Sequence, residues 1–223
     1  MQSKICNLQS AIANPLGVSM ADPYRPAFLK ACQRLLSLDP QVVAGNAEVT
    51  YVALSRESGQ FTVPFFGQEY HIGCPRITVT EAASGQAPAM ATQVLLLHYL
   101  VTADGAPLSG EWVSFRRLPS ATIYDQAFQA RALAPLAQTF GRNQEGFRQA
   151  AARLGGEPMR LGDASAMFRL FPRLFLAVVL WLGDEELPAT ANILYDAAAY
   201  HYLPTEDLAV VGGMLSGRLV KAR

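Results

Sequence analysis

The sequence predicts an α+β fold, with an antiparallel meander sheet from the first half and several packed helices, mostly in the second half. Apolar residues alternate with a period of two over residues 49–79, as they do in half-buried strands. From about residue 89 onward, most apolar residues recur with the period of a helix. The 223 residues are 51% hydrophobic and 16% charged, which is enough apolar material for a core and argues against disorder.

Charge and cysteine content exclude several classes of protein. Lys+Arg and Asp+Glu both number 18, so the formal charge is zero, whereas a nucleic-acid binder would show a basic excess or stripe. The three cysteines, Cys6, Cys32 and Cys74, lack the paired spacing of a zinc or iron–sulfur site. Their odd number and wide spacing are typical of a reducing compartment, and no metal site is predicted.

The N-terminus predicts neither a signal peptide nor a membrane span. Polar residues, a proline and a glycine interrupt the apolar stretch 8–18. The longest nearly apolar run, Leu174–Leu182, is about half as long as a membrane-spanning helix. We therefore expect a cytoplasmic protein without membrane contact. Residues 1–22 are predicted to form a loosely ordered arm, with Met20 as an alternative start, and residues 23–223 a single α+β domain.

The first half combines one helix with four short strands. Pro26 opens a helix predicted over Phe28–Leu38, and the following Asp-Pro pair closes it. Because Pro64 lacks a backbone N–H, its strand is predicted to be an edge strand or to be bulged. The alternating positions that define the four strands are Val49, Tyr51 and Ala53, then Phe61, Val63 and Phe65, then Tyr70 and Ile72, then Ile77 and Val79.

The middle of the chain returns to helical period. The segment Val94–Val101 is apolar on nearly all sides and predicts a central helix, and Glu111–Phe115 predicts a strand. An internal proline would cost about 3 kcal/mol within one helix, so Ile123–Phe140 is predicted as two helices with a break near Ala134. Asn143 is expected to cap the helix that follows.

The last part of the chain predicts three helices and one strand. A short helix is predicted over residues 163–170, capped by its first residue, and a buried strand over residues 174–182. A proline opens a further helix predicted over residues 188–202. Thr205 is expected to cap the last helix, whose first turn is acidic and whose C-terminal end is basic.

An ordered set of short motifs in the second half carries a family resemblance. Together these motifs make the chain similar to the bacterial and archaeal domain-of-unknown-function family numbered 3786, over roughly residues 28–220. The motifs are Leu95–Leu100, Pro107–Arg116, Leu154–Gly156, Gly162-Asp163, Phe171–Arg173, Leu180–Glu186 and Tyr202–Leu208.

The resemblance implies a biological context and no activity. Proteins of this kind are typical of anaerobes, and some relatives carry an added cysteine-rich iron–sulfur segment. That association points to corrinoid or one-carbon metabolism. This chain lacks a four-cysteine cluster, so it departs from those relatives and does not hold an iron–sulfur cluster by their pattern.

Seven residues are candidates for binding a ligand. Two are histidines in predicted apolar helices, two are tryptophans in predicted strands, and three are charged residues near strand or helix ends. In this hypothesis a histidine coordinates or hydrogen-bonds the ligand, the tryptophans stack on it, and the arginine pairs with an acidic group. Structural roles in packing, capping and ion pairing are the alternative for each of them. The candidates are His98, Trp112, Arg116, Trp181, Asp184, Glu185 and His201.

The sequence contains no nucleophile elbow and no phosphate-binding loop, so we favour a non-enzymatic function. The chain is predicted to be a small-molecule or cofactor-binding or accessory protein, with a small apolar or flat ligand. The first alternative is an acid/base enzyme, in which Asp184 or Glu185 is the base and His98 or His201 transfers the proton. A strongly raised carboxylate pKa in an open cleft would support it. The second alternative is an adaptor with a protein partner, which needs an exposed apolar patch.

Overall fold

A computed structural model describes residues 22–223, so the predicted N-terminal arm lies almost entirely outside the described residues. The described residues divide into two compact units, 22–106 and Pro107–Arg223, called here the N-terminal and the C-terminal unit. Helices and an antiparallel sheet occur in each unit, which confirms the predicted α+β class and adds a second sheet to it. The single domain expected over residues 23–223 stays a prediction.

Among the described residues 22–106, the N-terminal unit contains a four-stranded antiparallel meander and three helices. The strands lie in the order β1-β2-β3-β4, as predicted from the alternating residues. The first two helices pack against the third, which is buried nearly all round as expected. The elements are α1 (Arg25–Leu36), α2 (Pro40–Ala47), β1 (Thr50–Ala53), β2 (Gly59–Phe65), β3 (Gln68–Cys74), β4 (Thr78–Glu81) and α3 (Met90–Thr102).

The position of Pro64 corrects one expectation. Its strand, β2, is neither an edge strand nor bulged, since it pairs with β1 on one side and with β3 on the other. The proline is tolerated because β1 begins at Thr50, opposite Thr62, and therefore does not run beside Pro64. Because a two-residue turn joins β2 to β3, Pro64 and Glu69 form a pair without mutual hydrogen bonds. The proline nitrogen therefore faces away from β3, where β1 provides no partner strand.

The C-terminal unit contains a five-stranded antiparallel sheet with helices packed on it. Its strands lie in the order β5-β9-β8-β7-β6, so the two longest pairings, β7 with β8 and β8 with β9, form the centre. The elements are β5 (Trp112–Ser114), α4 (Asp125–Phe128), a π-helical segment (Gln129–Leu133), α5 (Ala134–Phe140), α6 (Gln144–Arg153), β6 (Glu157–Pro158), β7 (Ala164–Phe171), β8 (Leu174–Trp181), β9 (Thr190–Asp196) and α7 (Thr205–Lys221).

Two helices predicted in this unit are wrong, because both segments are strands. Residues 163–170 lie mostly in β7, where the side chains of Ala164, Ala166 and Phe168 turn to the buried face at a spacing of two. Residues 188–202 contain β9, which pairs with strands on both sides and ends in a short 3₁₀ turn. β9 pairs with β8 over residues 190–195 and with β5 over residues 194–196. This tertiary pairing outweighs the helical spacing of the apolar residues of β9.

Helix ends in the C-terminal unit follow the local sequence in most places. The predicted break near Ala134 does not occur, because the chain is helical without interruption from α4 through the π-helical segment to α5. The predicted second helix is present as α5, which has a proline in its first turn. Asn143 caps α6 as predicted, by accepting a hydrogen bond of 2.8 Å from the Gly146 N–H. Thr205 does not cap α7. It is the first helical residue, and its hydroxyl donates to the Pro119 carbonyl at 2.7 Å.

Candidate functional site

The structure does not bring the seven predicted ligand-binding residues together. His98 lies on α3 of the N-terminal unit and is half-buried, whereas the other six belong to the C-terminal unit. Within that unit, Trp112 pairs with Asp196 at one end of β9, and Trp181 pairs with Thr190 at the other end. Six residues of strand separate the two ends by about 20 Å, so the two tryptophans cannot stack on one small ligand.

Asp184 and Glu185 lie in the loop between β8 and β9, at the Trp181 end, and not before a helix as predicted. The Asp184 carboxylate accepts hydrogen bonds from the N–H of Leu187 at 2.7 Å and of Glu186 at 2.9 Å. These bonds lower the pKa of the Asp184 carboxyl. The side chain therefore closes the loop as an anion, which is the opposite of the raised pKa that a general base would need.

The remaining predicted residues lie near the other end of β9. Trp112 is half-buried in β5, and His201 lies in the 3₁₀ turn after β9 with its ring 4.2 Å from that of Tyr200. Arg116 is largely exposed, and its guanidinium is 3.9 Å from the Asp125 carboxylate. The ion pair is long and the Arg116 side chain is 69% exposed, so the pair contributes little to stability and leaves the guanidinium in water.

One buried carboxylate of this unit, Asp196, accepts four hydrogen bonds and was missed by the sequence reasoning. It is buried at the end of β9 and accepts from the N–H and hydroxyl of Ser109 (3.0 and 2.9 Å) and from the N–H of Gly110 and Ala198 (both 2.9 Å). Burial acts to raise the pKa of the Asp196 carboxyl, but these donors outweigh it and the pKa is lowered. Both oxygens are occupied, so Asp196 anchors the Pro107–Gly110 loop and is not available to a ligand.

A cavity of about 540 Å³ lies in the C-terminal unit, between α6 and the segment from Gly156 to Ala166. It is partly open to solvent. Its volume falls within the range of roughly 300–1,000 Å³ that is usual for small-molecule sites. None of the seven predicted residues lines it.

The first wall of the cavity is one face of α6. Phe147, Arg148, Ala151 and Ala152 line it, and this spacing places them side by side on a helix. The helix is held in place at its N-terminus by the Asn143 cap and through its buried residues, among which Phe147 is fully buried. The wall is therefore apolar and preformed, with a single cation at its surface.

The second wall is the loop over residues 159–163, which joins β6 to β7. The loop is fixed at both ends. The Ser165 hydroxyl accepts from the Leu161 N–H at 2.9 Å, and the Asp163 N–H donates to the Leu180 carbonyl at 2.9 Å. The Asp163 carboxylate accepts from the Leu182 N–H at 2.7 Å, which ties the loop to the end of β8. The loop conformation thus does not depend on a ligand.

Small residues on both walls leave the space open. Ala151 and Ala152 on the helix face Ala164 and Ala166 on the strand side, where larger side chains would fill the gap. Gly162 has a φ of +56°, and an added Cβ would lie 2.5 Å from the Leu180 carbonyl oxygen. This position therefore requires glycine, and the close approach of loop and β8 shapes the second wall.

Two arginines give the cavity its charge. Arg148 on the helix and Arg160 on the loop line the cavity, and both are exposed to solvent. Within residues 22–223, neither forms a hydrogen bond or an ion pair. The one carboxylate of the lining, Asp163, is bonded to the β8 backbone. The cavity therefore combines apolar walls with two unpaired cations.

A smaller cavity, of about 300 Å³, lies in the N-terminal unit between α1 and the turn that joins β1 to β2. Cys74 lines it, and burial raises the pKa of the Cys74 thiol to about 11. Burial, with a further contribution from Cys74, raises the pKa of the Cys32 thiol to about 12. Both thiols are therefore protonated near neutral pH and are poor nucleophiles.

The part of the chain that the structure describes contains neither a metal-binding cluster nor a helix that could span a membrane. In residues 22–223, no group of three or more His, Cys, Asp and Glu side chains is arranged to hold a metal ion. Among the helices in the same part of the chain, none has both the length and the apolar character to cross a membrane.

Comparison with known proteins gives one match. The model of a family described as a domain of unknown function, DUF3786, matches residues 39–218, which is most of the chain. No curated protein matches the chain, and no solved structure does. The matched segment includes both walls of the larger cavity and the Asp196 anchor. The resemblance predicted from the sequence motifs is confirmed, and the chain belongs to the DUF3786 family of domains of unknown function.

Proposed function

We propose that the chain is a small-molecule-binding protein, which holds an apolar or flat ligand in the cavity between α6 and the 159–163 loop. The observation that carries this proposal is the cavity itself: about 540 Å³, apolar, partly open, and enclosed by two walls that are fixed without a ligand. Preformed walls favour binding because little conformational entropy is lost when the ligand enters.

The cavity favours a ligand of moderate size. Its volume suits a molecule in the range of ordinary metabolites and is small for a complete corrinoid, whose macrocycle and side chains exceed such ligands. If the chain is connected with corrinoid or one-carbon metabolism, the ligand in this cavity would therefore be a metabolite smaller than a complete corrinoid. That connection and a cytoplasmic location stay predictions from the sequence.

The two alternatives have less support. An acid/base enzyme at Asp184 lacks the raised carboxylate pKa that it requires, since backbone donors lower it. An adaptor would use exposed apolar side chains. Trp181 at the end of β8 is 43% exposed, and Leu187 in the loop that follows is 67% exposed. Single exposed apolar residues are ordinary on a protein surface, so the cavity is the stronger feature.

Binding can be tested with N-phenyl-1-naphthylamine, an uncharged apolar fluorophore. We expect a saturable rise in fluorescence with the wild-type protein. Ala152→Phe places a ring at the open side of the cavity, on an exposed helix position, and should weaken binding by about tenfold or more, equivalent to roughly 1.4 kcal/mol.

Ala130→Phe is the matched control, since Ala130 is also an exposed helical alanine but does not line the cavity. It should leave the affinity unchanged. Absence of saturable binding, or an equal loss of affinity in both variants, would refute the proposed function.

A further inference from the structure

We infer that the ligand carries a single acidic group, a carboxylate, which Arg148 and Arg160 bind at the open side of the cavity. This inference rests on the proposed function and specifies the chemical class of its ligand: a molecule with a short apolar body and one negatively charged end.

The two guanidinium groups are placed on opposite walls. Arg148 follows the buried Phe147 on α6, and Arg160 lies between Met159 and Leu161 in the loop. Arginine side chains lay their aliphatic portions along apolar surfaces and keep the charged group in water. An acidic group at the opening would thus meet cations from both sides while the apolar part of the ligand enters between the alanines.

Neither arginine is occupied by a neighbour within residues 22–223. By contrast, Arg153 on the same helix donates to the Ala222 carbonyl at 2.7 Å, and Arg169 donates to the Pro172 carbonyl. Guanidinium groups form their strongest hydrogen bonds with carboxylates, often through two parallel N–H···O contacts. The two arginines at the cavity are therefore free to form such bonds with a ligand.

The charge of the lining indicates a monoanion. Two arginines and one carboxylate, that of Asp163, give the cavity a net charge of about +1. The other polar side chain of the lining, Ser165, already accepts a hydrogen bond from the loop. One carboxylate neutralises this charge, whereas a dianionic phosphate monoester would leave a negative excess beside Asp163.

The inference can be tested by displacing the bound fluorophore with octanoate and with octan-1-ol, which share a chain length and differ in charge. Octan-1-ol measures the apolar contribution alone. We expect the wild-type protein to bind octanoate about tenfold more tightly than octan-1-ol at low salt, and we expect high salt to reduce the difference.

The double variant Arg148→Gln with Arg160→Gln should abolish this preference, chiefly by weakening the binding of octanoate. Arg131→Gln is the control, because Arg131 is exposed, does not line the cavity and has no partner among residues 22–223. It should retain the tenfold preference.

Each result has a distinct meaning. Equal affinity for the two compounds, or a preference that survives in the double variant, overturns the inference while fluorophore binding still supports the proposed function. Failure of the wild-type protein to bind the fluorophore refutes both. Octyl phosphate that binds more tightly than octanoate would also overturn the inference, because the site would then favour a dianion.

Discussion

Removal of the Asp196 carboxylate should destabilise the C-terminal unit strongly. The side chain accepts four hydrogen bonds of 2.9–3.0 Å, three of them from backbone N–H groups. Bonds to a charged acceptor contribute about 1.5–3 kcal/mol each, but adjacent bonds are not additive and Ser109 and Gly110 also face water. We therefore expect Asp196→Ala to lower the free energy of unfolding by about 3–4 kcal/mol.

The isosteric variant separates the contribution of one oxygen from that of the whole group. In Asp196→Asn the amide oxygen can replace Oδ1, which accepts three of the four bonds, but the NH₂ group cannot accept from the Gly110 N–H. We expect a loss of about 1–2 kcal/mol, roughly half of the effect of alanine.

The assay is chemical denaturation followed by tryptophan fluorescence at pH 7. Both tryptophans, Trp112 and Trp181, belong to the C-terminal unit, so the signal reports on that unit. Glu185→Gln, which changes an exposed loop carboxylate, is the control and should leave the midpoint unchanged. A loss below about 0.5 kcal/mol for Asp196→Ala, the size of an ordinary surface substitution, would refute the anchoring role.

The same carboxylate predicts a dependence on pH. Its pKa is lower in the folded protein than in the unfolded chain, so its stabilisation is complete above the unfolded value of about 3.9 and is lost as the pH falls through the folded value. The difference in stability between the wild-type protein and Asp196→Asn should therefore shrink in acid. A difference that grows as the pH falls would contradict this assignment.

Two further predictions concern close packing and thiol reactivity. A Cβ at Gly212 would lie 2.3 Å from the Tyr195 hydroxyl, so Gly212→Ala should destabilise by about 1–3 kcal/mol. A Cβ at Gly213 has no neighbouring atom within 4 Å, so Gly213→Ala should instead stabilise the helix by about 0.5–1 kcal/mol. If the two variants change the free energy of unfolding equally in chemical denaturation, a steric cause at Gly212 is excluded. In a variant without the N-terminal cysteine, burial raises the pKa of both remaining thiols, so at pH 8 Cys74 should react with iodoacetamide about a hundredfold, and Cys32 about a thousandfold, more slowly than an unperturbed thiol. Rapid alkylation of the native protein, measured by mass spectrometry, would contradict this.

The fold could be predicted in segments whose apolar residues follow only one spacing, either that of a strand or that of a helix. The alternation through Phe61, Val63 and Phe65 has no helical interpretation, and the meander was predicted correctly. The strands β7 and β9 were missed because Ala, Leu and Ile at their buried positions fit a helical spacing almost as well. Only pairing with β8, which sequence spacing does not encode, decides between the two periods.

The candidate site was less predictable than the fold. The tryptophans and histidines were predicted to bind a ligand because of their residue types. The register of the strands places Trp112 and Trp181 at opposite ends of β9. The cavity forms because α6 lies opposite the 159–163 loop. That arrangement could not be predicted, because residues 163–170 were expected to form a helix and not β7. Its sequence signal was the concentration of alanine and glycine between residues 150 and 166.

The most direct test of the cavity uses methionine methyl NMR. Met159 lines the cavity, whereas Met167 lies on β7 outside the lining and serves as an internal control. With ¹³C-methyl-methionine protein and Met159→Leu to assign the signal, saturating N-phenyl-1-naphthylamine should shift the Met159 resonance far more than that of Met167. A saturable complex in which the Met159 resonance stays in place would contradict binding in this cavity.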